Sequence, residues 1–422
     1  MTTNTSFDIT QPLPQGTVLL AASAGTGKTW TISAVCAKAI ATGLVHMENL
    51  LLVTFNRSAA RELRGRVYER LVNTRLLLAG AREPSDPCDW SLIRCGQAGL
   101  TRVESALDNF DRAVITTTHE FASRMLVELG VLSDHDPSSV LMTDLAPLAT
   151  EVSDDHYLAQ YLDCDRPPSV RDKRELSRDV AVKYGEVPIF SKDDADTPVQ
   201  DVLWALSVRE DVRRRSKSRS VHTFDDLIGD LVKALRDPYR GPLACATLAH
   251  RFGLVMVDEF QDTDPLQWEI LRRAFHGHSN LWLIGDPKQS IYAFRGADIH
   301  AYQDAAQSAS HVLHLDVNYR TDKPIVEAVN TLFSNAQLGH DISMELVTAH
   351  HQESRIKTAA TDGPRYHWSQ PFQIRCLQAP AGAQLNTATS DQFVTEDLVN
   401  QVIMMLEGGT VVQDGDGLRP LR

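Results

Sequence analysis

The chain has 422 residues, 43% hydrophobic and 23% charged, with a formal net charge of −13. This length allows two or three domains, and the acidic balance counts against a broadly basic nucleic-acid-binding surface while leaving room for a local basic groove. Six cysteines without a CxxC pair predict reduced thiols in a cytoplasmic protein, and neither a signal peptide nor a membrane span is predicted.

The stretch from Thr17 to Ile32 predicts a phosphate-binding loop between a buried strand and a helix. Gln11, before the strand, is placed either to read an adenine edge or to be ordinary loop. The glycines allow backbone N–H groups to face a triphosphate, Lys28 can reach its β- and γ-phosphates, and Thr29 can hold Mg²⁺. The alternative is a chance glycine-rich turn before a helix. The predicted loop consists of Ala22, Ser23, Ala24, Gly25, Thr26, Gly27, Lys28 and Thr29.

Two further predicted strands end in residues that could contact a nucleic acid. Residues 49–54 are followed by Phe55, which could stack on a base, and by Arg57 at the start of a strongly basic helix. A solvated helix face is the alternative for these arginines. Residues 113–117 are followed by His119, which could contact nucleic acid or be a capped core histidine.

Residues 129–217 contain Asp-Pro, Pro-Pro and Lys-Asp-Asp-Ala-Asp stretches and show no clear alternation of apolar and polar residues. This composition predicts a mostly helical, weakly packed insertion. Its last part, from Arg209 to Arg219, is a run of basic residues. Such a run is typical of a solvated helix, and a surface that tracks phosphates is the alternative.

Sheet-like patterns resume with an apolar strand that ends in Asp258 and Glu259. In a nucleotide-hydrolysing site the aspartate holds Mg²⁺ and the glutamate activates the attacking water. The next strand, residues 280–284, leads to Gln289, which is placed to sense a γ-phosphate. Farther along, Tyr292 and Phe294 could be stacking platforms for bases with Arg295 beside them, or they could be core aromatic residues.

Together these motifs resemble superfamily 1A DNA helicases of the UvrD/Rep type and, within them, the RecB-type subunits of exodeoxyribonuclease V. The resemblance runs from residue 17 to about 333, and its segment GDPKQSIYAFRGAD is highly specific for this group. The matching segments are ASAGTGKT at 22–29, LLVTFNRSAARELRGRV at 51–67, TTHEFASRML at 117–126, FDDL at 224–227, VDEFQDTDP at 257–265, LIGDPKQSIYAFRGADI at 283–299 and LDVNYR at 315–320.

The resemblance implies an ATP-dependent, 3′-to-5′ DNA helicase acting on single-stranded and duplex DNA in double-strand break repair and recombination. It implies ATP and Mg²⁺ as cofactors and RecC-like and RecD-like subunits as partners. The implied ATP-site residues are Lys28, Thr29, Asp258, Glu259, Gln289 and Arg320, with Arg320 reaching the γ-phosphate from a neighbouring domain. The implied single-strand contacts are Phe55, His119, Tyr292, Phe294 and Arg295.

The sequence therefore predicts an α/β P-loop NTPase fold. One RecA-like parallel sheet is expected from residues 1–128 and 218–312, a helical insertion at 129–217, and part of a second RecA-like domain at 313–422. The later helicase motifs and the nuclease of the RecB type do not occur in this sequence. We therefore expect an N-terminal fragment that does not unwind DNA alone.

Two other functions stay open. A non-catalytic scaffold subunit with a helicase fold would have a dead ATP site, which the intact Lys28, Asp258 and Glu259 do not favour. A P-loop kinase is disfavoured because its sheet motifs would not include DPKQSIYAFRG.

Overall fold

The computed structural model describes residues 5–134, 136, 139–142, 144–182, 199–290, 298–334, 336–338, 342, 346–358, 372–379, 386–407, 409–415 and 417–421. The strands are β1 (Thr5–Ser6), β2 (Thr17–Ala22), β3 (Leu50–Thr54), β4 (Val114–Thr117), β5 (Val140–Leu141), β6 (Val221–His222), β7 (Leu254–Val257), β8 (Asn280–Gly285), β9 (His311–Leu315), β10 (Val317–Asn318), β11 (Thr348–Ala349), β12 (Ile356–Thr358), β13 (Thr410–Asp414) and β14 (Gly417–Pro420). The helices are α1 (Lys28–Thr42), α2 (Arg57–Leu78), α3 (Pro87–Leu92), α4 (Gly96–Asp108), α5 (Thr118–Leu129), α6 (Ala146–Tyr161), α7 (Val170–Leu176), α8 (Val199–Ser218), α9 (Phe224–Arg236), α10 (Gly241–Arg251), α11 (Pro265–Phe275), α12 (Ile299–Ser308), α13 (Lys323–Leu332) and α14 (Thr387–Glu407).

A seven-stranded sheet with the order β1-β9-β2-β8-β7-β3-β4 forms the centre of the molecule. All of its neighbouring strands are parallel. Its inner strands are almost continuously apolar because helices cover both faces, and every residue of β3 is buried. The predicted α/β fold with a parallel sheet is confirmed.

Helices cover the two faces of this sheet in two separate groups. Alternate residues of β2 point to opposite faces, so Val18 and Leu20 pack in one core while Leu19 packs in the other. Helices α1, α2, α3 and α4 contribute to the first core, and α5, α9, α10, α11 and α12 contribute to the second. The carboxyl ends of all seven strands therefore meet at one edge, where α/β sheets bind their ligands.

The described part of the insertion consists mainly of helices and, in contrast to the weak packing expected from its sequence, has a core of its own. Helices α6 and α8 enclose a third core around Trp204, which is only 3% exposed. The indole Nε1 of Trp204 donates a hydrogen bond to Ser177 Oγ at 3.0 Å. The apolar residues of this core lie on separate helices, so the core forms from contacts between residues that are distant in sequence.

The chain beyond residue 310 differs from the prediction at its start. Strand β9 lies between β1 and β2, with Leu313 opposite Leu20, so the large sheet extends past the expected boundary at residue 312. The strand completes the sheet because Leu313 and Leu315 pack against the first core. Beyond it, β10 and β11 form a parallel pair, and β12, β13 and β14 form a small antiparallel sheet. Across the described ranges, no helix has both the length and the hydropathy to cross a membrane.

Candidate functional site

The loop after β2 has the conformation of a phosphate cradle. Gly25 and Gly27 have φ angles of 82° and 88°, in the left-handed region that favours glycine. A Cβ on Gly25 would also lie 2.8 Å from Cβ of Arg320, so a larger residue would not fit there. The hydroxyl of Thr26 donates to the carbonyl of Ser23 at 2.7 Å and closes the loop on itself. Helix α1 begins at Lys28, and its N-terminal N–H groups therefore point toward the cradle.

Lys28 and Glu259 form an ion pair at the centre of the site. The distance from Lys28 Nζ to Glu259 Oε2 is 2.7 Å, and the lysine side chain is only 14% exposed. Gln261 Nε2 donates to the same carboxylate oxygen at 2.7 Å. Glu259 has a φ angle of 54°, which a residue with a side chain rarely adopts. Its surroundings hold it in a strained conformation that is typical of active sites.

Asp258 and Asp262 place additional negative charge next to Glu259. Burial, together with the charge of Glu259, raises the pKa of Asp258 and of Asp262 to about 6. A cation at this point would stabilise the ionised carboxylates, and Thr29 follows Lys28 directly in the first turn of α1. These residues suit Mg²⁺, which often takes only one or two protein ligands besides phosphates and water. Within the described residues, no group of three or more His, Cys, Asp or Glu side chains could hold a metal ion.

A second set of polar groups follows strand β8. The N–H of Asp286 donates to Gln261 Oε1 at 2.9 Å, and its carboxylate accepts a hydrogen bond from Gln289 Nε2 at 2.8 Å. Lys288 Nζ lies 2.9 Å from Asp286 Oδ1 and donates to Ser23 Oγ at 3.1 Å. A continuous chain of contacts therefore leaves the cradle at Lys28, passes through Glu259, Gln261, Asp286 and Lys288, and returns to the cradle at Ser23.

The segment after β9 contacts the cradle from the other side. Asn318 Nδ2 donates to the carbonyl of Ala24 at 3.1 Å, and the N–H of Tyr319 donates to the carbonyl of Gly25 at 2.8 Å. The Arg320 side chain is exposed beside this contact. Arg355 donates to the Arg320 carbonyl and, through Nε, to Asp322 Oδ1 at 2.5 Å. Arg320 therefore lies next to the loop, close to Gly25, and its contact with a γ-phosphate stays a prediction.

The described candidates for nucleic-acid contact lie after β3 and β4, at the same edge of the sheet. Phe55 is 38% exposed. Arg57 Nε donates to Glu120 Oε1 at 2.9 Å. The ring of His119 lies edge-on to Phe224 with a centroid distance of 5.9 Å.

Of the four remaining predicted site residues, only Gln11 lies within the described part of the chain. Tyr292, Phe294 and Arg295 lie outside the described residues. Gln11 is exposed on the surface, where its amide donates to Asp8 Oδ2 at 3.4 Å. The main-chain carbonyl of Gln11 accepts a hydrogen bond from the buried Lys38.

Four residues that contribute to the cradle cannot be identified from the sequence patterns alone. Gln261 lies in the segment VDEFQDTDP and Lys288 in the segment LIGDPKQSIYAFRGADI, but residue type alone does not show which group each side chain contacts. Asn318 and Tyr319 directly precede Arg320, and this proximity in sequence is the one signal that they could contact the cradle. Tyr319 is exposed, and its ring lies against His350 at a tilt of 35°, with centroids 4.8 Å apart.

Comparison with known proteins gives consistent matches. Residues 3–310 match the model of the UvrD/REP helicase N-terminal domain. The chain is 36% identical over 421 residues to the RecBCD enzyme subunit RecB of Mycobacterium tuberculosis (strain ATCC 25618 / H37Rv), an alignment that covers 96% of this chain and 37% of that protein. It is 46% identical over 129 residues to RecB of Escherichia coli (strain K12), covering 30% of this chain and 11% of that protein. Similarity to the ATP-dependent DNA helicase UvrD1 of Mycobacterium bovis is 27% over 326 residues, covering 75% of this chain and 37% of that helicase. The chain thus spans little more than a third of the length of the RecB proteins that it matches over almost all of its residues.

Proposed function

The chain belongs to the UvrD/Rep helicase family, and from this premise we propose that its large sheet binds and hydrolyses ATP with Mg²⁺ to drive movement along single-stranded DNA. The observation that carries the proposal is the closed chain of contacts around the cradle from Lys28 to Ser23. The cradle Ala22–Thr29 would surround the phosphates, and Gln11 would face the adenine.

The Lys28–Glu259 pair supports a division of labour during hydrolysis. Without nucleotide, Lys28 neutralises Glu259. The phosphates of ATP compete for the lysine because they carry more negative charge than one carboxylate. Glu259, released from Lys28, then accepts the proton of the attacking water.

The other site residues have supporting roles. Thr29 and Asp258 would hold Mg²⁺, which supplies neutralisation of the charge that develops on the phosphates. Gln289 senses the terminal phosphate from its position on Asp286. Arg320 stabilises the transferring phosphoryl group from the segment that contacts Gly25.

We place single-stranded DNA along the edge that holds Phe55, Arg57 and His119, with Tyr292, Phe294 and Arg295 as further contacts. The residues that follow β9, from Asp316 onward, would contribute to a second RecA-like domain. Closure of the two domains on ATP would move the strand in the 3′-to-5′ direction.

The biological setting follows from the relatives. The matched RecB proteins are named as subunits of a RecBCD enzyme. We therefore propose duplex unwinding in double-strand break repair and recombination, together with RecC-like and RecD-like subunits.

Coupling between nucleotide and DNA tests this function and separates it from a scaffold role. We expect saturating ATPγS to change the affinity of the full chain for a fluorescent oligo-dT by about fivefold or more. Lys28→Ala should abolish that nucleotide effect and leave nucleotide-free DNA binding unchanged. Equal oligo-dT affinity with and without ATPγS would contradict an ATP-driven translocase and favour the scaffold.

A further inference from the structure

Lys288 occupies a position in the cradle that the roles above leave unused. It follows β8, the strand next to β2, and its ammonium contacts both Asp286 Oδ1 at 2.9 Å and Ser23 Oγ at 3.1 Å. Its side chain is 14% exposed, the same fraction as Lys28. Resting on the proposed ATP site, we propose that Lys288 is a second phosphate-binding lysine that contacts the terminal phosphate and favours ATP over ADP.

The ammonium group of Lys288 reaches beyond its own turn. Asp286 already accepts hydrogen bonds from the Lys288 N–H and from the Gln289 amide. An ion pair that only stabilised this turn would not need the hydroxyl of a loop more than 260 residues away in sequence. An ammonium has three N–H donors, so contact with Asp286 and Ser23 leaves a third donor for a ligand.

The carboxylates of the site outnumber its lysines. Four carboxylates, those of Asp258, Glu259, Asp262 and Asp286, face two lysines, Lys28 and Lys288. Burial of this excess negative charge opposes the entry of a polyphosphate, so more than one cation is needed to favour it. Lys28 and Lys288 are the two lysines whose ammonium groups contact this set of carboxylates in the described part of the chain.

The position of Gln289 indicates which phosphate Lys288 contacts. Lys288 and Gln289 are adjacent and share the carboxylate of Asp286. Any movement of Asp286 therefore repositions both side chains together. Since Gln289 is the proposed sensor of the terminal phosphate, Lys288 contacts that phosphate as well, and ADP lacks it.

The test compares nucleotide affinities of the full chain by titration with fluorescent ATPγS and fluorescent ADP. We expect Lys288→Gln to weaken ATPγS binding by about 10- to 100-fold and to change ADP binding by less than about threefold. Lys288→Arg, which keeps the charge, should retain most of the preference for ATPγS. Equal weakening of both nucleotides, or no weakening, would mean that the lysine only braces Asp286.

Two further variants keep the result interpretable. The double variant Asp286→Asn with Lys288→Gln removes both buried charges, so it avoids an unpaired carboxylate if the single variant folds poorly. It should also lose the ATPγS preference, and a full preference in the double variant would overturn the proposal. Lys28→Ala distinguishes failure of the proposed ATP site from failure of the proposed role of Lys288. If Lys28→Ala leaves the affinities for ATPγS and ADP unchanged, the ATP site itself is wrong. If Lys28→Ala weakens both affinities while Lys288→Gln does not, only the role of Lys288 is wrong.

Discussion

The carboxyl edge of the large sheet and the facing surfaces of helices α6 and α8 both concentrate charged residues, but they treat them differently. At the sheet edge, Asp258 and Asp262 lie beside Glu259, and burial raises the pKa of both aspartates to about 6. Like charges are held together there at a cost in stability. Such an arrangement is typical of a site that a ligand completes.

On the insertion, the charges neutralise each other in solvent. Arg215 contacts Glu151 at 2.8 Å and Asp155 at 2.6 Å, and Arg219 contacts Glu151 at 2.7 Å. Hydrogen bonding from Arg219 and Arg215 lowers the pKa of Glu151 below its usual value. Exposed pairs of this kind contribute little to stability, and they favour the solvated-helix interpretation of this basic run.

A cluster of charged residues in a sequence therefore does not indicate its role until the burial and the partners of each side chain are known. Both regions contain several carboxylates and basic residues within short stretches. The two regions differ in the direction in which the pKa of their carboxylates shifts. The pKa is raised where carboxylates crowd together in the buried site, and it is lowered where arginines surround a carboxylate on the insertion.

ATP hydrolysis should respond most strongly to a substitution at the sheet edge. Glu259→Gln should lower ATP turnover by between about 10² and 10⁴-fold, because the general base is lost. ATP binding should persist. Glu151→Gln is the matched change on the insertion and should leave turnover as in the parent. A phosphate-release assay with single-stranded DNA present decides this, and a normal rate for Glu259→Gln would refute its role.

The next effect is on stability. The pKa of Asp258 is raised from 3.8 to about 6, so the folded state binds a proton more tightly than the unfolded state. Stability without nucleotide and Mg²⁺ should therefore fall as the pH rises from about 4 to about 6. At about 1.4 kcal/mol for each pH unit, the cost of the ionised group is up to about 3 kcal/mol.

Asp258→Asn should remove most of that cost and raise the stability at neutral pH. Urea unfolding at about pH 4.5 and pH 7 measures the difference. Loss of stability in the variant at pH 7, or an unchanged pH dependence, would contradict the raised pKa of Asp258.

A smaller effect is expected on DNA binding. Phe55→Ala should cost about 1–3 kcal/mol of single-strand affinity with little preference for sequence, because a stacking platform is lost. Trp90→Ala, on the exposed surface of α3, is the matched aromatic control and should bind like the parent. Fluorescence anisotropy measures the single-strand affinity of both variants. Equal losses of affinity would show that Phe55 at the sheet edge is not a specific stacking platform for DNA.

The smallest effect should come from the insertion. Arg219→Ala should leave single-strand affinity and its salt dependence unchanged, since Arg219 pairs with Glu151 on the insertion and is not part of the sheet edge where we place the DNA. Arg57→Ala, at the sheet edge, should lower the slope of log affinity against log salt by about one. A lower slope for Arg219→Ala would revive the phosphate-tracking interpretation.

Much of the fold could be predicted because it depends on local patterns. The apolar run before Ala22, the glycines of the loop and the strand before Asp258 each carry their own signal. Since carboxyl ends of parallel strands meet at one edge, even the convergence of Lys28 and Glu259 follows from them.

The rest depends on contacts between distant parts of the chain. Nothing local in His311–Leu315 shows that this strand joins the first sheet rather than opening a second one. The contact of Lys288 with Ser23, like the core around Trp204, forms only after the chain has folded. Residue type restricts such contacts but does not identify the partner.

Isothermal titration calorimetry of ATP with the full chain and with Lys28→Ala tests whether the cradle binds the phosphates of ATP. Lys233→Ala, which changes an exposed lysine of α9, is the control and should bind like the parent. We predict that the parent binds ATP and that Lys28→Ala weakens binding by about 1.5–3 kcal/mol, or roughly 10- to 100-fold, because a charge-assisted phosphate contact is lost. Equal affinity of Lys28→Ala and the parent would contradict the account.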